Sequence, residues 1–431
     1  MSSNATYKMI FYGDDFTGST DALEFLCLNG ARAVLFMDVP DQKMLDDFPG
    51  IDAFGVAGKT RSLDPPAMQA VLQNDFSCLS TFNTKLFHYK VCSTYDSSPT
   101  VGNIGLAMEI GASIFKSTLI PVLGGMPLIG RYCLFSNLFV RMGIGTSGKM
   151  YRLDRHPSMS NHPVTPSDEA DLRLHLGKQT MLNIGAIDIN MMRQPISEWL
   201  EMLDGNEDAV VLDAMDENDL LKVAAWLDLL SRDAPLFTIG SSGIEAAMAM
   251  HWKQENVFNA PVHATRNKKI APMLVVSGSQ SPITTSQIKH AAEQGFATID
   301  ITADDISNDP TGLLVDAIVS SMTAGIHTII HTGARNTTLL NAMMLGDFYG
   351  KLVRAVCSRV AIGKLLICGG DTSSHAARSL GITAVEMVAS YIHGAPICKA
   401  YSTCTEINGL EMNFKGGQVG PPEYFSIIKM I

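Results

Sequence analysis

The sequence has no run of Lys or Arg, no CxxC pair and no apolar stretch long enough to cross a bilayer. Each absence removes a class of function. With 32 Lys plus Arg against 43 Asp plus Glu, a net charge of −11, no field exists to grip nucleic-acid phosphates or an anionic membrane surface. Small-molecule ligands are favoured. The eight cysteines, at 27, 78, 92, 133, 357, 368, 398 and 404, sit in a chain whose 46% apolar content supports a core without covalent staples, so reduced thiols are expected. The most apolar stretch, Thr118 to Gly130, carries two prolines and is flanked by Lys116 and Arg131. The opening Met-Ser-Ser-Asn-Ala-Thr-Tyr-Lys has no cationic segment leading into an apolar one, so no secretory signal is expected and a cytoplasmic location is.

What is present is alternation. An apolar run, Met9 to Tyr12, leads through a polar loop to apolar positions Ala22, Leu23, Phe25 and Leu26 at helical spacing. Further strand candidates lie at Ala33 to Met37, Ala53 to Ala57, Leu86 to Val91 and Leu119 to Leu123, with helix-like stretches at Pro66 to Leu79 and Asn103 to Glu109. A polar, Pro- and His-rich stretch, Arg152 to Asp171, interrupts the pattern before it resumes near Leu182, Ala209 and Pro235. Residues Asn256 to Lys269 read as a linker. Beyond it come strands at Met273 to Val276, Ala297 to Ile301, Thr328 to His331 and Leu365 to Cys368, and helices from Thr284, near Leu313 to Met322, across Ala342 to Val360 and from Ser373. The expectation is two α/β domains with largely parallel sheets, residues 1–258 and 259–431 of a 431-residue chain.

Two loops in the second half sit where such a sheet binds phosphate, past a strand and opening a helix: Ser277-Gly278-Ser279-Gln280-Ser281-Pro282-Ile283-Thr284 and Gly369-Gly370-Asp371-Thr372-Ser373-Ser374. Glycine lets backbone amides approach phosphate oxygens, and hydroxyls add donors. The plain alternative for each is a turn or a helix cap. A third string, Lys415-Gly416-Gly417-Gln418-Val419-Gly420, is a further candidate. Two Walker-like strings are rejected. Gly143 to Lys149 fits GxxxxGK, but Met150 replaces the required hydroxyl and Tyr151 onward looks extended; Gly125 to Gly130 continues into Arg131-Tyr132.

Asp14 and Asp15 fall at the end of the first strand. Adjacent carboxylates repel unless they meet a cation or polyhydroxyl groups, or unless one stays protonated, so a base is one role and helix capping another. Cations lie in comparable loops: Lys59 and Arg61 after one strand, Lys90 at the end of another, Arg131 after Gly130. Together they could hold a small carboxylate. Asp154, His156 and His162 lack metal-ligand spacing and are read as loop hydrogen bonding or substrate contact.

Three strings in combination, Asp14-Asp15-Phe16-Thr17-Gly18-Ser19-Thr20-Asp21, Lys90-Val91-Cys92-Ser93-Thr94-Tyr95-Asp96-Ser97-Ser98-Pro99 and Gly369-Gly370-Asp371-Thr372-Ser373, resemble the four-carbon acid sugar kinase family across nearly the whole chain. The resemblance implies an N-terminal domain for a short sugar acid, a C-terminal domain for ATP with Mg2+, and phosphoryl transfer to a terminal hydroxyl in the cleft between them. It carries Ser279, Gly369, Gly370, Asp371, Thr372 and Gly417 to ATP, and Asp14, Asp15, Arg61 and Lys90 to the sugar acid; Arg131 joins the sugar-acid candidates from its place after Gly130, and Asp15 or Asp14 is expected to orient the sugar hydroxyl and accept its proton. The family's closing loop often reads Ser-Gly-Asn-Phe-Gly, where this chain has Gly416-Gly417-Gln418-Val419-Gly420. Gly124 to Tyr132 and Arg152 to Pro157 resemble 3-oxo-isoapionate kinases more than 3-oxo-tetronate or threonate kinases. The reaction implied is therefore ATP-dependent phosphorylation of 3-oxo-isoapionate or 3-oxo-tetronate, with threonate or erythronate behind. A homo-oligomer is possible on this reading. The rivals from other classes are a non-catalytic sugar-acid sensor and a haloacid-type phosphohydrolase. The second needs an acid two positions after its Asp, where Phe16 and Thr17 stand.

Overall fold

The computed structural model describes the chain except residues 1–5, 163, 259–270, 303–304, 307–310 and 334–341. Most of the expected linker lies outside the described residues. The chain divides into two compact units, Met1–Met142 with Gly148–Val262, and Gly143–Ser147 with His263–Ile431.

The first unit is built on β1 (Met9–Gly13), α1 (Phe16–Leu28), β2 (Ala33–Phe36), β3 (Ala53–Ala57), α2 (Pro65–Leu79), β4 (Leu86–Lys90), α3 (Ile104–Phe115) and β5 (Ile120–Leu123). A small antiparallel sheet follows: β6 (Arg131–Leu134), β7 (Asn137–Arg141) and β8 (Met150–Arg152). Then come β9 (Ile184–Ile187), β10 (Ala209–Leu212), α4 (Glu217–Leu230), β11 (Leu236–Gly240) and α5 (Gly243–Gln254). The main strands lie in the order 9-10-5-11-4-1-3-2, all parallel. Strands buried on both faces explain the continuous apolar runs, since every residue of β1, β3 and β4 is buried. Helix starts follow their capping residues: Asp15, Asp64, Asn103 and Asp216 each accept an amide hydrogen bond in the first turn of α1, α2, α3 and α4.

Side-chain alternation along β4 fixes which helices cover which face. Phe87 stacks on Phe115 of α3 and Tyr89 meets Phe76 of α2, whereas His88 faces Glu245 of α5. α1 packs on α5, and α2 on α3. The helix after β1 and the helix after the neighbouring β4 thus leave toward opposite faces, which opens a crevice at the carboxyl ends of these two strands, the usual place for a ligand on such a sheet.

The second unit carries β12 (Met273–Ser277), α6 (Pro282–Glu293), β13 (Ala297–Asp300), α7 (Thr311–Thr323), β14 (Thr328–His331), α8 (Ala342–Cys357), β15 (Lys364–Cys368), α9 (Gly370–Ser379), β16 (Ile382–Ala389), β17 (Ile397–Ser402) and β18 (Glu411–Lys415). Its strand order is 16-17-18-15-12-14-13. β18, β15, β12, β14 and β13 are parallel, and the three-stranded end β16-β17-β18 is antiparallel. That antiparallel end was not expected. Five of the eight residues of β16 are buried, without the polar-apolar alternation that marks a half-covered strand. Gly143 to Gly148 join β7 to β8 and lead into a strand, not a helix, in keeping with their rejection as a phosphate loop.

Candidate active site

In the first unit, Gly13, Lys90 and Gly240 stand in one cross-strand row at the ends of β1, β4 and β11. The loops past that row bring Asp14, Asp15, Arg61 and Lys90 together. Asp14 is fixed through its backbone first, its amide donating to the Lys90 carbonyl (2.8 Å) and its carbonyl accepting from the Arg61 amide (3.1 Å). Its carboxylate accepts from Arg61 Nε (3.2 Å) and Nη2 (2.9 Å) and from the Cys92 amide (3.3 Å). Asp15 caps α1, accepting from the Gly18 amide (2.7 Å) and the Thr17 hydroxyl (2.7 Å), and its Oδ2 lies 2.8 Å from Arg61 Nη1. One guanidinium therefore bridges both carboxylates. Lys90 is 1% exposed and donates to the Val91 carbonyl (2.9 Å).

The two aspartates diverge in basicity. Burial, reinforced by its neighbour Asp15, raises Asp14 above the usual carboxylate range despite Arg61 and Lys90. Burial would raise Asp15 too, but Arg61, Lys90, the Thr17 hydroxyl and the Gly18 amide hold it below that range. The backbone at Gly18 passes so close that a Cβ there would lie 2.6 Å from Asp15 Oδ1 and 2.9 Å from Lys90 Nζ. Only glycine fits.

Arg131, at the start of β6, is 4% exposed. Its Nε donates to Ser93 (3.1 Å), in the loop after Lys90, and its Nη1 to the carbonyls of Ile129 and Arg141 (3.1 Å each). Burial lowers its pKa to about 10, so it stays cationic at neutral pH. The loop it touches is braced from behind by Ser97, His175 and Gln179, with Ser97 Oγ 2.9 Å from His175 Nε2. Asp154 pairs with Arg152 and Arg155, while His156 and His162 accept amide hydrogen bonds within their own loop, so this group serves the loop.

Sequence patterns gave no hint of the buried pair behind Lys90. His88 and Glu245 are both fully buried, with His88 Nε2 3.7 Å from Glu245 Oε1, too far for a hydrogen bond. His88 Nδ1 lies 2.9 Å from Thr238 Oγ1. Burial and Lys90 lower His88 to about 3, and burial raises Glu245 to about 8 against the pull of Lys90 and with the push of Asp21. Both are neutral near pH 7. An acid raised from 4.5 to about 8 contributes its stability fully below pH 4.5 and loses it as pH rises through 8. A histidine lowered from 6.5 to about 3 penalises the fold as pH falls from 6.5 toward 3. Glu245→Gln should therefore be more stable than wild type by about 1 kcal/mol or more at pH 8, with the gap closing by pH 4.5, in denaturant titrations at the two pH values.

In the second unit, Ser277, Cys368 and Lys415 form the matching row at the carboxyl ends of β12, β15 and β18. The three glycine-rich strings leave from these neighbouring ends and meet. A Cβ at Gly278 would lie 2.6 Å from Thr372 Oγ1, one at Gly369 3.4 Å from the Ser279 amide nitrogen, and one at Gly417 3.0 Å from Ser279 Oγ. Gly369 has φ +119°, a left-handed conformation that favours glycine, and Gly370 opens the ten-residue α9. Ser279, Gly369, Gly370, Thr372 and Gly417 are thus gathered in one cradle of amides and hydroxyls, a donor set that suits phosphate oxygens. The Asp371 side chain lies outside the described residues. Two further residues belong here: Thr284, whose Oγ1 donates to the Gly417 carbonyl (3.3 Å), and the buried Lys415, whose Nζ donates to Thr284 Oγ1 (3.0 Å).

A cavity of about 650 Å³ opens at the other end of the first sheet, among Lys8, Asp52, Lys85, Arg232, His251 and Trp252. It lies at the amino ends of the strands and shares no residue with either cradle.

A model of a sugar-binding N-terminal domain matches residues 9–248, and one of a nucleotide-binding C-terminal domain matches residues 274–425. The chain is 34% identical to the 3-oxo-isoapionate kinase of Paraburkholderia graminis, over 98% of this chain and 94% of that protein. It is 27% identical to the 3-oxo-tetronate kinase of Cupriavidus necator, over 96% and 94%. A solved structure from Salmonella typhimurium LT2, described as a putative tRNA synthase, superposes with a TM-score of 0.78 at 22% identity, covering 98% of each chain. The Haemophilus influenzae protein HI1011 superposes at 0.72 and 20% identity, over 98% of this chain and 99% of that one. At such identities these structures support the fold alone.

Proposed function

The chain belongs to the four-carbon acid sugar kinase family and is an ATP-dependent sugar-acid kinase, and we propose that its acceptor is 3-oxo-isoapionate, phosphorylated on a terminal hydroxyl. The substrate assignment is supported by the 34% identity to a 3-oxo-isoapionate kinase along the chain's length. The observation that carries the mechanism is the geometry of two adjacent buried carboxylates bridged by one guanidinium, of which Asp15 is taken up in capping α1.

Asp14, the more basic of the two, is the base: it orients the terminal hydroxyl and accepts its proton as the oxygen attacks the γ-phosphorus. The bond from that phosphorus to the bridging oxygen breaks, and ADP leaves. Asp15 stays ionised, capping α1 and holding Arg61 in place. Because Arg61 is engaged by both aspartates, the acid's carboxylate falls to Lys90 and to Arg131, which among the described residues meets Ser93, Ile129 and Arg141 through Nε and Nη1 and not through Nη2. The amides and hydroxyls of the second cradle position the triphosphate, and magnesium carried in with ATP would supply charge neutralisation at its phosphates.

An assay of ADP release over 3-oxo-isoapionate, 3-oxo-tetronate, threonate and erythronate tests the assignment. The largest kcat/KM is expected with 3-oxo-isoapionate. A larger value with any of the other acids overturns the substrate, while free phosphate without a sugar phosphate, or no turnover at all, overturns the kinase reading.

A further inference from the structure

Lys415 is the last residue of β18 and is fully buried. Its Nζ donates to Thr284 Oγ1 (3.0 Å) and to the Gly416 carbonyl (3.0 Å), and lies 5.7 Å from the centre of the Tyr424 ring. Its own carbonyl accepts from the Gly369 amide (2.9 Å). One residue thus touches all three glycine-rich loops, because Thr284 Oγ1 also accepts from Ser279 Oγ (3.1 Å). No carboxylate comes within ion-pair distance of Nζ among the described residues; Cys368, on the neighbouring strand, is the titratable group that bears on it most. Lys364, another buried lysine of this unit, is placed differently, with Glu411 Oε2 4.0 Å away.

A buried ammonium without a counter-charge is costly, and a fold keeps one where an anion arrives to complete it. Here the anion's place is already marked by the cradle one hydroxyl away. We propose that Lys415 is the fixed positive charge of the nucleotide site, a positioning residue that acts on the phosphates through Thr284 and Ser279 and whose counter-ion is the polyphosphate itself. This rests on the reading of the C-terminal unit as the ATP site. It supplies the lysine that a Walker string would have provided; Lys149, in the rejected string, is exposed.

The test is calorimetric binding of adenosine and of ADP to wild type, Lys415→Met and Lys415→Gln in the full chain. Loss of charge should weaken ADP at least tenfold and leave adenosine within twofold, and Lys415→Gln, which keeps an N–H donor for Thr284, should lose as much as Lys415→Met. The nucleotide-free Lys415→Met protein should melt no lower than wild type, since the unpaired charge is gone. Equal weakening of adenosine and ADP, or no weakening of either, overturns the role of Lys415. Should neither variant fold, wild type still decides: ADP binding near pH 8 should take up protons, because burial has lowered Lys415 to about 8 and an arriving anion raises it, while the Cys368 thiol, at about 11, stays protonated. Absence of proton uptake then overturns it. Failure of wild type to bind ADP at all strikes the kinase reading instead.

Discussion

Asp14→Asn should lower kcat by about 10² or more while leaving the KM for ATP near wild type, the size expected when a general base is lost. The companion Asp15→Asn should behave differently. Asn caps a helix about as well as Asp, so α1 keeps its start, and the change removes one of the two charges that hold Arg61. Its effect should fall mainly on the KM for the sugar acid. The pH profile separates the two roles. Wild-type kcat should fall as pH drops through the raised pKa of Asp14, above the usual carboxylate range, and Asp14→Asn should show no such limb. A profile that keeps its acid limb in Asp14→Asn, or loses it in Asp15→Asn, would move the base to Asp15.

The choice between the two aspartates shows what could be read from residues alone. The strand-loop-helix pattern placed both aspartates at the end of β1, because a strand buried on both faces writes itself as an apolar run and a helix start as a capping residue. The pattern held no account of which carboxylate would be held by Thr17 and the Gly18 amide, a contact that helps to separate cap from base. Ser279, Gly369 and Gly417 were legible as glycine-rich loops, since close backbone approach demands glycine. Thr284 and Lys415 were not given a role, although both stood inside the quoted strings. Their part depends on three strands ending in one register row, a long-range pairing that leaves no local trace. His88 and Glu245 were still less visible: each reads as an ordinary strand or helix position until the sheet and α5 press them together. The antiparallel end of the second sheet was missed for a related reason, as the burial of β16 erases its period.

Arg61→Met should destabilise the fold by about 3–5 kcal/mol near pH 7, because it leaves two adjacent, nearly buried carboxylates without the guanidinium that bridges them. The Arg61 side chain is 20% exposed, which places the expected cost toward the lower end of that range. The sign of the pH dependence is fixed by Asp14. In wild type burial already favours its protonated form, and Arg61 opposes this; without Arg61 the carboxyl should take up a proton at higher pH still. Protonation removes the repulsion, so the cost of Arg61→Met should shrink as pH falls from 7 toward 5, read as the difference in denaturant midpoint between variant and wild type at each pH. The same change should abolish turnover, since a protonated Asp14 accepts nothing from the sugar hydroxyl. A stability cost that stays constant across this range would mean that Arg61 contributes packing rather than charge, and Asp14 would then lose the environment that makes it a base.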